Sequence, residues 1–238
     1  MKTVFRLIYP PQCITCDALV DDDMTLCGEC WRDTPFIAGH VCDQCGTPLP
    51  GETSGVADLC DDCMAIARPW ARGRAALLYK GNARRLILGL KHGDRLDLVR
   101  PAAGWMEHAG RDIMRPDMIV VPVPAHWKRL LKRRYNQAAA LAQQIARNGG
   151  NECLPDALIR QKQTLIQDGM GRDARFENVA GAIVPHRSNG GRLTGRDVLL
   201  IDDVMTSGAT LAAASEACHV AGANQVCVLT LARVAKDT

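Results

Sequence analysis

The sequence predicts an α/β protein in which a parallel sheet flanked by helices follows a small zinc-binding domain. Two observations predict this fold class. Four C-x-x-C pairs lie within the first 63 residues. After Pro69 these pairs end, and short apolar runs alternate with segments of helical periodicity, as strands and helices alternate in a parallel sheet. We therefore assign residues 1–69 to a double zinc ribbon and residues 70–238 to the α/β domain.

Composition restricts the class of protein. The hydrophobic share of 47% is enough for a core, and the charged share of 23% is ordinary. No apolar run approaches the ~18 residues that cross a bilayer. The first apolar stretch breaks at Pro10 and Pro11, before it could form a secretory signal. We expect a cytoplasmic protein without membrane insertion.

Charge is distributed unevenly along the chain. Residues 1–70 carry 4 Lys+Arg against 11 Asp+Glu, a net charge of −7, and the remainder carries 25 against 15, a net charge of +10. A basic C-terminal part favours phosphorylated partners, either a small phosphate ester or a nucleic acid. The acidic N-terminal part suggests a surface on which another protein docks.

The N-terminal cysteines are spaced as ligands of two structural zinc ions. Each C-x-x-C pair can grip a metal from one tight turn, and four thiolates leave no open coordination position. The pairs are Cys13/Cys16, Cys27/Cys30, Cys42/Cys45 and Cys60/Cys63. We expect consecutive pairs to share a zinc because this closes the shorter loops. A cross-braced arrangement of alternate pairs is the rival.

Two other chemistries also use paired cysteines. A disulfide framework needs an oxidising compartment, whereas an iron–sulfur cluster would accept the same four thiolates. Zinc is favoured because the segment has few large apolar residues, so metal binding must replace a core. We expect His40 to be a surface residue rather than a ligand. The single Cys153, Cys218 and Cys227 read as core thiols.

Periodicity predicts the elements of the α/β domain. Apolar residues at helical spacing, as at Leu86, Ile87 and Leu90, indicate helices, and short apolar runs indicate strands. The predicted strands span 75–79, 117–121, 181–185, 198–201 and 225–231, and the predicted helices span 82–92, 98–114 and 209–221, with another through Tyr135 to Ile145.

Two basic segments are candidates for anion binding. The first, after the strand at 117–121, contains Lys128, Arg129, Lys132, Arg133 and Arg134. The second, from Arg160 to Asn178, includes Arg175 and reads as a mobile loop that closes over an anion. A solvated helical face and an insertion without a role are the alternatives. Ligands of open α/β sheets gather at the carboxyl ends of strands, so the first segment is a candidate pyrophosphate site.

The stretch around the strand at 198–201 carries the most specific signal. Asp202 and Asp203 follow the strand, and small or hydroxylated residues from Thr206 to Thr210 lead into a helix. Backbone N–H groups at a helix start attract an anion, whereas two carboxylates would repel a bare phosphate. A ribose 5-phosphate satisfies both, since its hydroxyls can donate to the acids. An ordinary capped strand-to-helix turn is the alternative.

The acids and this turn resemble the fingerprint of type I phosphoribosyltransferases, which bind phosphoribosyl pyrophosphate (PRPP). The order of parts along nearly the whole chain is similar to the ComF family (competence protein F, also called GntX-like). The matching positions are the cysteine pairs, Tyr79, Leu90, Lys91, the run VPVP, RRYNQ at 133–137, Arg160, Thr164, Gln167, Arg175, Asn178 and the acidic pair. Tyr135 stands where many members have Phe, and Ser207 where Thr is common.

The resemblance implies a type I phosphoribosyltransferase fold and a link to natural transformation. Asp202 and Asp203 would be catalytic, holding the ribose hydroxyls with Mg²⁺ bound alongside PRPP. The expected PRPP-binding residues are Val204, Met205, Thr206, Ser207, Gly208, Ala209, Thr210, Lys91, Arg133, Arg134, Arg160 and Arg175. The acceptor of the phosphoribosyl group is not indicated. A module that binds single-stranded DNA is the second hypothesis, with DNA-uptake proteins as partners; the aromatic content of 4% is low for base stacking.

Overall fold

The computed structural model describes residues 9–53, 55–92, 95–126, 135–162 and 171–235. Its central element is a five-stranded parallel sheet in the order β1-β7-β6-β2-β3. The strands of this sheet are β1 (Arg72–Leu78), β2 (Ile119–Pro122), β3 (Glu152–Cys153), β6 (Asp197–Met205) and β7 (Gln225–Arg233). Two short strands, β4 (Leu158–Arg160) and β5 (Ile183–Pro185), pair antiparallel beside it.

Helices cover both faces of the sheet. The described α-helices are α1 (Gly28–Asp33), α2 (Asp61–Ala65), α3 (Gly81–His92), α4 (Val99–Gly110), α5 (Gln137–Gly149), α6 (Arg172–Val179) and α7 (Ala209–Val220). Alternation along β6 serves the two layers: Leu199 and Ile201 face the core under α3, α4 and α5, and Val198 and Leu200 face the core under α7. Every one of these side chains is buried, as the continuous apolar run predicted.

The structure thus confirms the predicted fold class of a parallel sheet flanked by helices and preceded by a cysteine-rich module. The two parts share a core, because Cys42, Cys45, Cys63 and Trp70 are buried in the layer that also contains Val121. Zinc-ligand candidates therefore pack against the sheet itself.

Several predicted boundaries are wrong. The strand predicted to end at Ile201 continues as β6 to Met205, because it stays paired with β7 through Met205 and Arg233. The helix predicted at 98–114 is shorter, ending at Gly110. The segment predicted as a loop over 160–178 contains α6 at its end. Residues 163–170 of that segment, with Thr164 and Gln167, lie outside the described residues.

Candidate functional site

The direction in which successive strands are added across the sheet changes between β2 and β6. From β2 the chain continues through α5 to β3, and from β6 it continues through α7 to β7 on the other side. Pairing of β6 with β2 ends at Pro122 and Ile201, but β6 continues along β7 for four more residues. The carboxyl ends of the two strands therefore diverge at a topological switch point, where ligands of open α/β sheets bind.

Asp202 and Asp203 lie in this divergent part of β6. Both are partly buried, and the Asp203 N–H donates to Oδ1 of Asp202 at 2.8 Å. Burial, together with the negative charge of Asp203, raises the pKa of Asp202 to about 7. Lys91 and Arg160 oppose that rise electrostatically. A cation or a hydroxyl donor that binds beside the acidic pair at neutral pH would therefore favour the ionised form of Asp202.

One of the predicted cations contacts the acidic pair, and a second acts on it electrostatically. Lys91, at the end of α3, places Nζ 3.2 Å from Oδ2 of Asp203, with the Lys91 side chain 20% exposed. Arg160, at the end of β4, is close enough to affect Asp202. Arg175 is half-buried on α6, which packs against α7 rather than contributing a described contact to the acids. Their roles toward PRPP stay predictions.

The start of α5 is anchored beside the same crevice. The Tyr135 hydroxyl donates to the carbonyl of Leu90, next to Lys91. The Asn136 side chain caps α5 by accepting from Ala138 N–H at 3.1 Å, and its Nδ2 donates to the Val123 carbonyl at 3.0 Å. Arg133 and Arg134, the pyrophosphate candidates, lie outside the described residues. Tyr135, the residue that directly follows them, nevertheless contacts Leu90, next to Lys91.

The turn after β6, residues 206–208, leads directly into α7. Met205 is buried in the strand and Gly208 is the N-cap residue, with φ of 83°. Of the small or hydroxylated residues expected to cap this helix, the small one, Gly208, occupies the N-cap position and makes no side-chain cap. The one related contact joins Ser207 Oγ and Ala209 N–H at 3.4 Å. As at any helix start, the first backbone N–H groups of α7 are directed along the helix axis toward the turn rather than into i→i−4 bonds, and this is the arrangement to which an anion binds.

Two arginines at the back of this turn were missed by the sequence analysis. Arg233 Nη1 donates to the Thr206 carbonyl at 3.1 Å, and Arg68 Nη1 donates to the Ser207 carbonyl at 2.8 Å. Arg233 ends an apolar strand and Arg68 lies in the linker before Pro69. Only the register between β6 and β7 reveals that Arg233 lies beside Met205. No local motif carries that information.

The cysteines form two clusters as predicted, from consecutive pairs. The first zinc cluster is Cys13, Cys16, Cys27 and Cys30, and the second zinc cluster is Cys42, Cys45, Cys60 and Cys63. In each cluster the sulfur atoms lie within 4.8 Å of one another. The Cys16–Cys27 and Cys45–Cys60 sulfur distances are both 3.6 Å, close to the edge of about 3.8 Å that Zn–S bonds of ~2.3 Å give a tetrahedron. The donor sets fit structural zinc.

His40 was expected to be a surface residue rather than a ligand, and it is less exposed than that. Its side chain is only 13% exposed, because Nε2 lies 2.8 Å from Oδ2 of Asp58 and Nδ1 lies 3.2 Å from the Pro50 carbonyl oxygen. His40 thus braces the loop between the two cysteine pairs of the second zinc cluster without joining that cluster. Of the single cysteines, Cys218 and Cys227 are buried core thiols, as predicted.

Comparison with known proteins defines first the class and then the relatives. Residues 4–64 match the family model of the double zinc ribbon domain, so the chain joins that domain to a parallel α/β domain. Competence protein F of Haemophilus influenzae is 28% identical over 213 residues, covering 87% of this chain and 90% of that protein. DNA utilization protein YhgH of Escherichia coli K12 is 27% identical over 233 residues, covering 88% and 99%.

Competence protein ComFC of Bacillus subtilis is 24% identical over 220 residues, covering 84% of this chain and 85% of that protein. These relatives confirm that the chain resembles the ComF family along most of its length. A hypoxanthine phosphoribosyltransferase from Staphylococcus aureus has 14% identity and a TM-score of 0.34 over 61% of this chain and 69% of that chain. None of the described helices is long and apolar enough to cross a membrane.

Proposed function

We propose that the α/β domain binds PRPP or a related ribose 5-phosphate and transfers its phosphoribosyl group to an acceptor. The observation that carries the proposal is the position of Asp202 and Asp203 in the divergent end of β6, directly before a turn that opens α7. Hydroxyl-binding groups and an anion-binding helix start then lie a few residues apart, as a ribose and its 5-phosphate require.

In this proposal the two acids act on the ribose. Their carboxylates accept hydrogen bonds from the ribose hydroxyls. They also stabilise the positive charge that builds at C1 as the bond to the leaving oxygen breaks. The electron pair of that bond leaves on pyrophosphate, and the nucleophilic atom of the acceptor forms the new bond to C1. Lys91, held 3.2 Å from Asp203, is placed to exchange this partner for an anionic oxygen of the ligand.

The metal in this proposal is Mg²⁺ bound mainly by pyrophosphate and ribose oxygens. Hard oxygen ligands suit Mg²⁺, and the acidic pair adds two carboxylates at the place where ribose would lie. When bound, the ion would neutralise charge on the departing pyrophosphate. The raised pKa of Asp202, caused by its burial and by Asp203, fits a site that is completed by a cationic ligand.

Isothermal titration with PRPP and Mg²⁺ tests the binding step. We expect wild-type protein to bind and the double variant Asp202→Asn/Asp203→Asn to lose binding. Asp197→Asn is the matched control, because Asp197 is the first residue of the same strand, at its opposite end, and it should bind like wild type. Equal binding by the acidic-pair variant, or no binding by wild type, would reject the proposal. Pyrophosphate release with a panel of nucleobases then tests transfer.

The names of the relatives favour a second activity, handling of DNA during uptake. The net charge of +10 beyond residue 70 suits a phosphate backbone, and the resemblance to competence proteins points in the same direction. We expect a single-stranded oligonucleotide to bind with an affinity that falls steeply as salt is raised. An affinity that is insensitive to salt would argue against this activity. Competition by PRPP would place both ligands in one crevice.

A further inference from the structure

The turn after β6 is held by side chains from outside the two elements that it joins, β6 and α7. Two consecutive carbonyls of the turn, those of Thr206 and Ser207, each accept from a guanidinium group. Arg233 is 3% exposed, and Arg68 lies over the ring of Trp70 with 5.4 Å between its guanidinium carbon and the ring centroid. A buried guanidinium group needs a compensating negative charge nearby. The group that supplies this charge therefore helps to hold both arginines, and through them the turn.

The second zinc cluster supplies that charge. Arg233 Nε donates to the Thr47 hydroxyl, and the Thr47 oxygen lies 3.1 Å from the sulfur of Cys45. Arg68 interacts favourably with the sulfur of Cys63. Four thiolates around one zinc carry a net charge of about −2, which matches the two guanidinium groups. Two series of polar interactions, one through Thr47 and Arg233 and one through Arg68, thus lead from ligands of this zinc to neighbouring carbonyls of the turn.

Packing reinforces these polar interactions. Gly208 has φ of 83°, and a Cβ atom placed there would lie 3.0 Å from Arg68 Nη1 and 3.2 Å from the Trp70 ring. Trp70 is in turn held by its Nε1, which donates at 2.6 Å to the carbonyl of Gln44, between two ligands of the second zinc cluster. The backbone of the turn therefore rests directly on residues that the cluster orders.

The first zinc cluster has other contacts. Asn82, in α3, donates to the carbonyl of Cys30 at 3.3 Å, and Arg95 donates to the carbonyl of Ile14 at 3.2 Å. These bonds join the first cluster to α3 and to the residues that follow it. They do not reach the turn after β6. The two clusters are thus joined to the α/β domain at different places.

We propose that Thr47, Arg68 and Arg233 are positioning residues through which the second zinc cluster fixes the phosphate-binding turn. The inference deepens the proposed function, because it concerns the same ribose-phosphate site, and it assigns no catalytic contact to these side chains. Loss of zinc from the second cluster should loosen the turn and weaken binding of ribose 5-phosphate. Loss from the first should leave the turn ordered.

Hydrogen exchange of the full chain, followed by mass spectrometry, tests this proposal. Thr47→Val removes the hydroxyl that joins Arg233 to Cys45 and leaves every zinc ligand in place. We expect amides in a peptide over 204–210 to exchange about tenfold faster, as the loss of a buried hydrogen-bond partner predicts. Zinc content should remain at two ions, and a peptide over 141–146 should be unchanged as a reference for global stability.

Two matched variants separate positioning from a general defect. Thr47→Ser keeps the hydroxyl and should exchange like wild type. Thr25→Val removes an equivalent hydroxyl from the first ribbon, where Thr25 donates to the Asp22 carbonyl at 2.7 Å, and should leave the 204–210 peptide unchanged. If Thr47→Val does not fold, Arg68→Lys tests the polar interactions that run through Arg68. We expect the same faster exchange of the 204–210 peptide in that variant. Exchange at wild-type rates in whichever variant folds would overturn the proposal.

Titration with ribose 5-phosphate separates this inference from the proposed function. We expect Thr47→Val to bind about tenfold more weakly than wild type and Thr47→Ser to bind equally. If wild type binds neither PRPP with Mg²⁺ nor ribose 5-phosphate but the exchange rates differ as expected, the coupling is supported and the proposed function is rejected. If wild type binds and the exchange rates do not differ, the coupling alone is rejected.

Discussion

Asp202→Asn should stabilise the protein while removing the proposed ligand site. Burial and the charge of Asp203 raise the pKa of Asp202 from 3.8 to about 7, so its ionised form destabilises the folded state. Each pKa unit corresponds to about 1.4 kcal/mol. The ionised carboxylate therefore lowers the free energy of unfolding by about 4 kcal/mol at pH 8. An amide keeps the oxygen that accepts from Asp203 N–H and carries no charge.

The sign of the pH dependence follows from the raised pKa. Between pH 4 and pH 7 the folded state holds the proton that the unfolded state has lost, so stability falls as pH rises. Above pH 7 Asp202 is ionised in both the folded and the unfolded state. The difference in the free energy of unfolding between wild type and Asp202→Asn is then constant. At pH 5.5 the difference should shrink to about 2 kcal/mol, since only the interval from the unfolded pKa to 5.5 then counts.

Urea unfolding followed by tryptophan fluorescence at pH 8 and pH 5.5 measures both differences. Asp197→Asn provides a control of opposite sign. Asn224 and Arg115 hold the pKa of Asp197 below its usual value, so its carboxylate stabilises the folded state above pH 4 and its loss should destabilise equally at both pH values. A variant Asp202→Asn that is no more stable than wild type at pH 8, or a difference that does not narrow at pH 5.5, would refute the reasoning.

Three further predictions concern the turn and the zinc ribbons. Gly208→Ala should lower the free energy of unfolding by about 1–3 kcal/mol because of the φ of 83° and the contacts with Arg68 and Trp70. Gly104→Ala is the control, since its added Cβ would meet nothing within 4 Å. Equal melting temperatures of the two variants would contradict the expectation. Complete removal of zinc by a chelator should unfold the ribbons, and an unchanged circular dichroism spectrum would speak against structural zinc. Residues 70–238 alone should aggregate, as measured by light scattering, and a stable monomer of this fragment would argue that the ribbons are dispensable for the sheet.

The sequence predicted features that one segment determines by itself. The apolar run from Val198 to Ile201 predicted a strand covered on both faces, and the preference for shorter loops predicted that consecutive cysteine pairs share a cluster, as they do. The length of β6 was not predictable in this way, because it depends on how far β7 runs beside it to Arg233. The α6 helix was missed for a related reason. Its own residues have weak apolar periodicity, and its packing against α7 determines its conformation.

The site divides along the same line. Asp202, Asp203 and the turn were visible because they are adjacent in sequence, and Lys91 because the resemblance indicated it. Arg68 and Arg233 were invisible, since each acts on the turn from a distance of more than 25 residues in the chain. Burial of a charged side chain at the end of an apolar strand has no signature when the strand register is unknown.

The zinc ribbons also protect the edge of the sheet, which explains why the two parts share one core. An edge strand presents unpaired backbone groups that invite pairing with another chain, and β1 lies at the edge of this sheet. Ribbon residues cover it: Ile37 N–H donates to the Ala76 carbonyl, Leu78 N–H to the Pro35 carbonyl, and Gly73 N–H to the Asp43 carbonyl, each at 2.9 Å.

Such close contact restricts the side chains on both partners. A Cβ atom on Gly73 would lie 2.3 Å from the Gln44 carbonyl oxygen, so only glycine lets the ribbon backbone approach β1 this closely. Arg72 and Arg74 then close the interface with ion pairs to Asp43. Since the ribbon has few apolar residues of its own, zinc must order it before these bonds can form. Residue 69 therefore marks a change of composition along the chain. The parts that stabilise one another lie on both sides of it: the second zinc cluster, the sheet edge and the turn after β6.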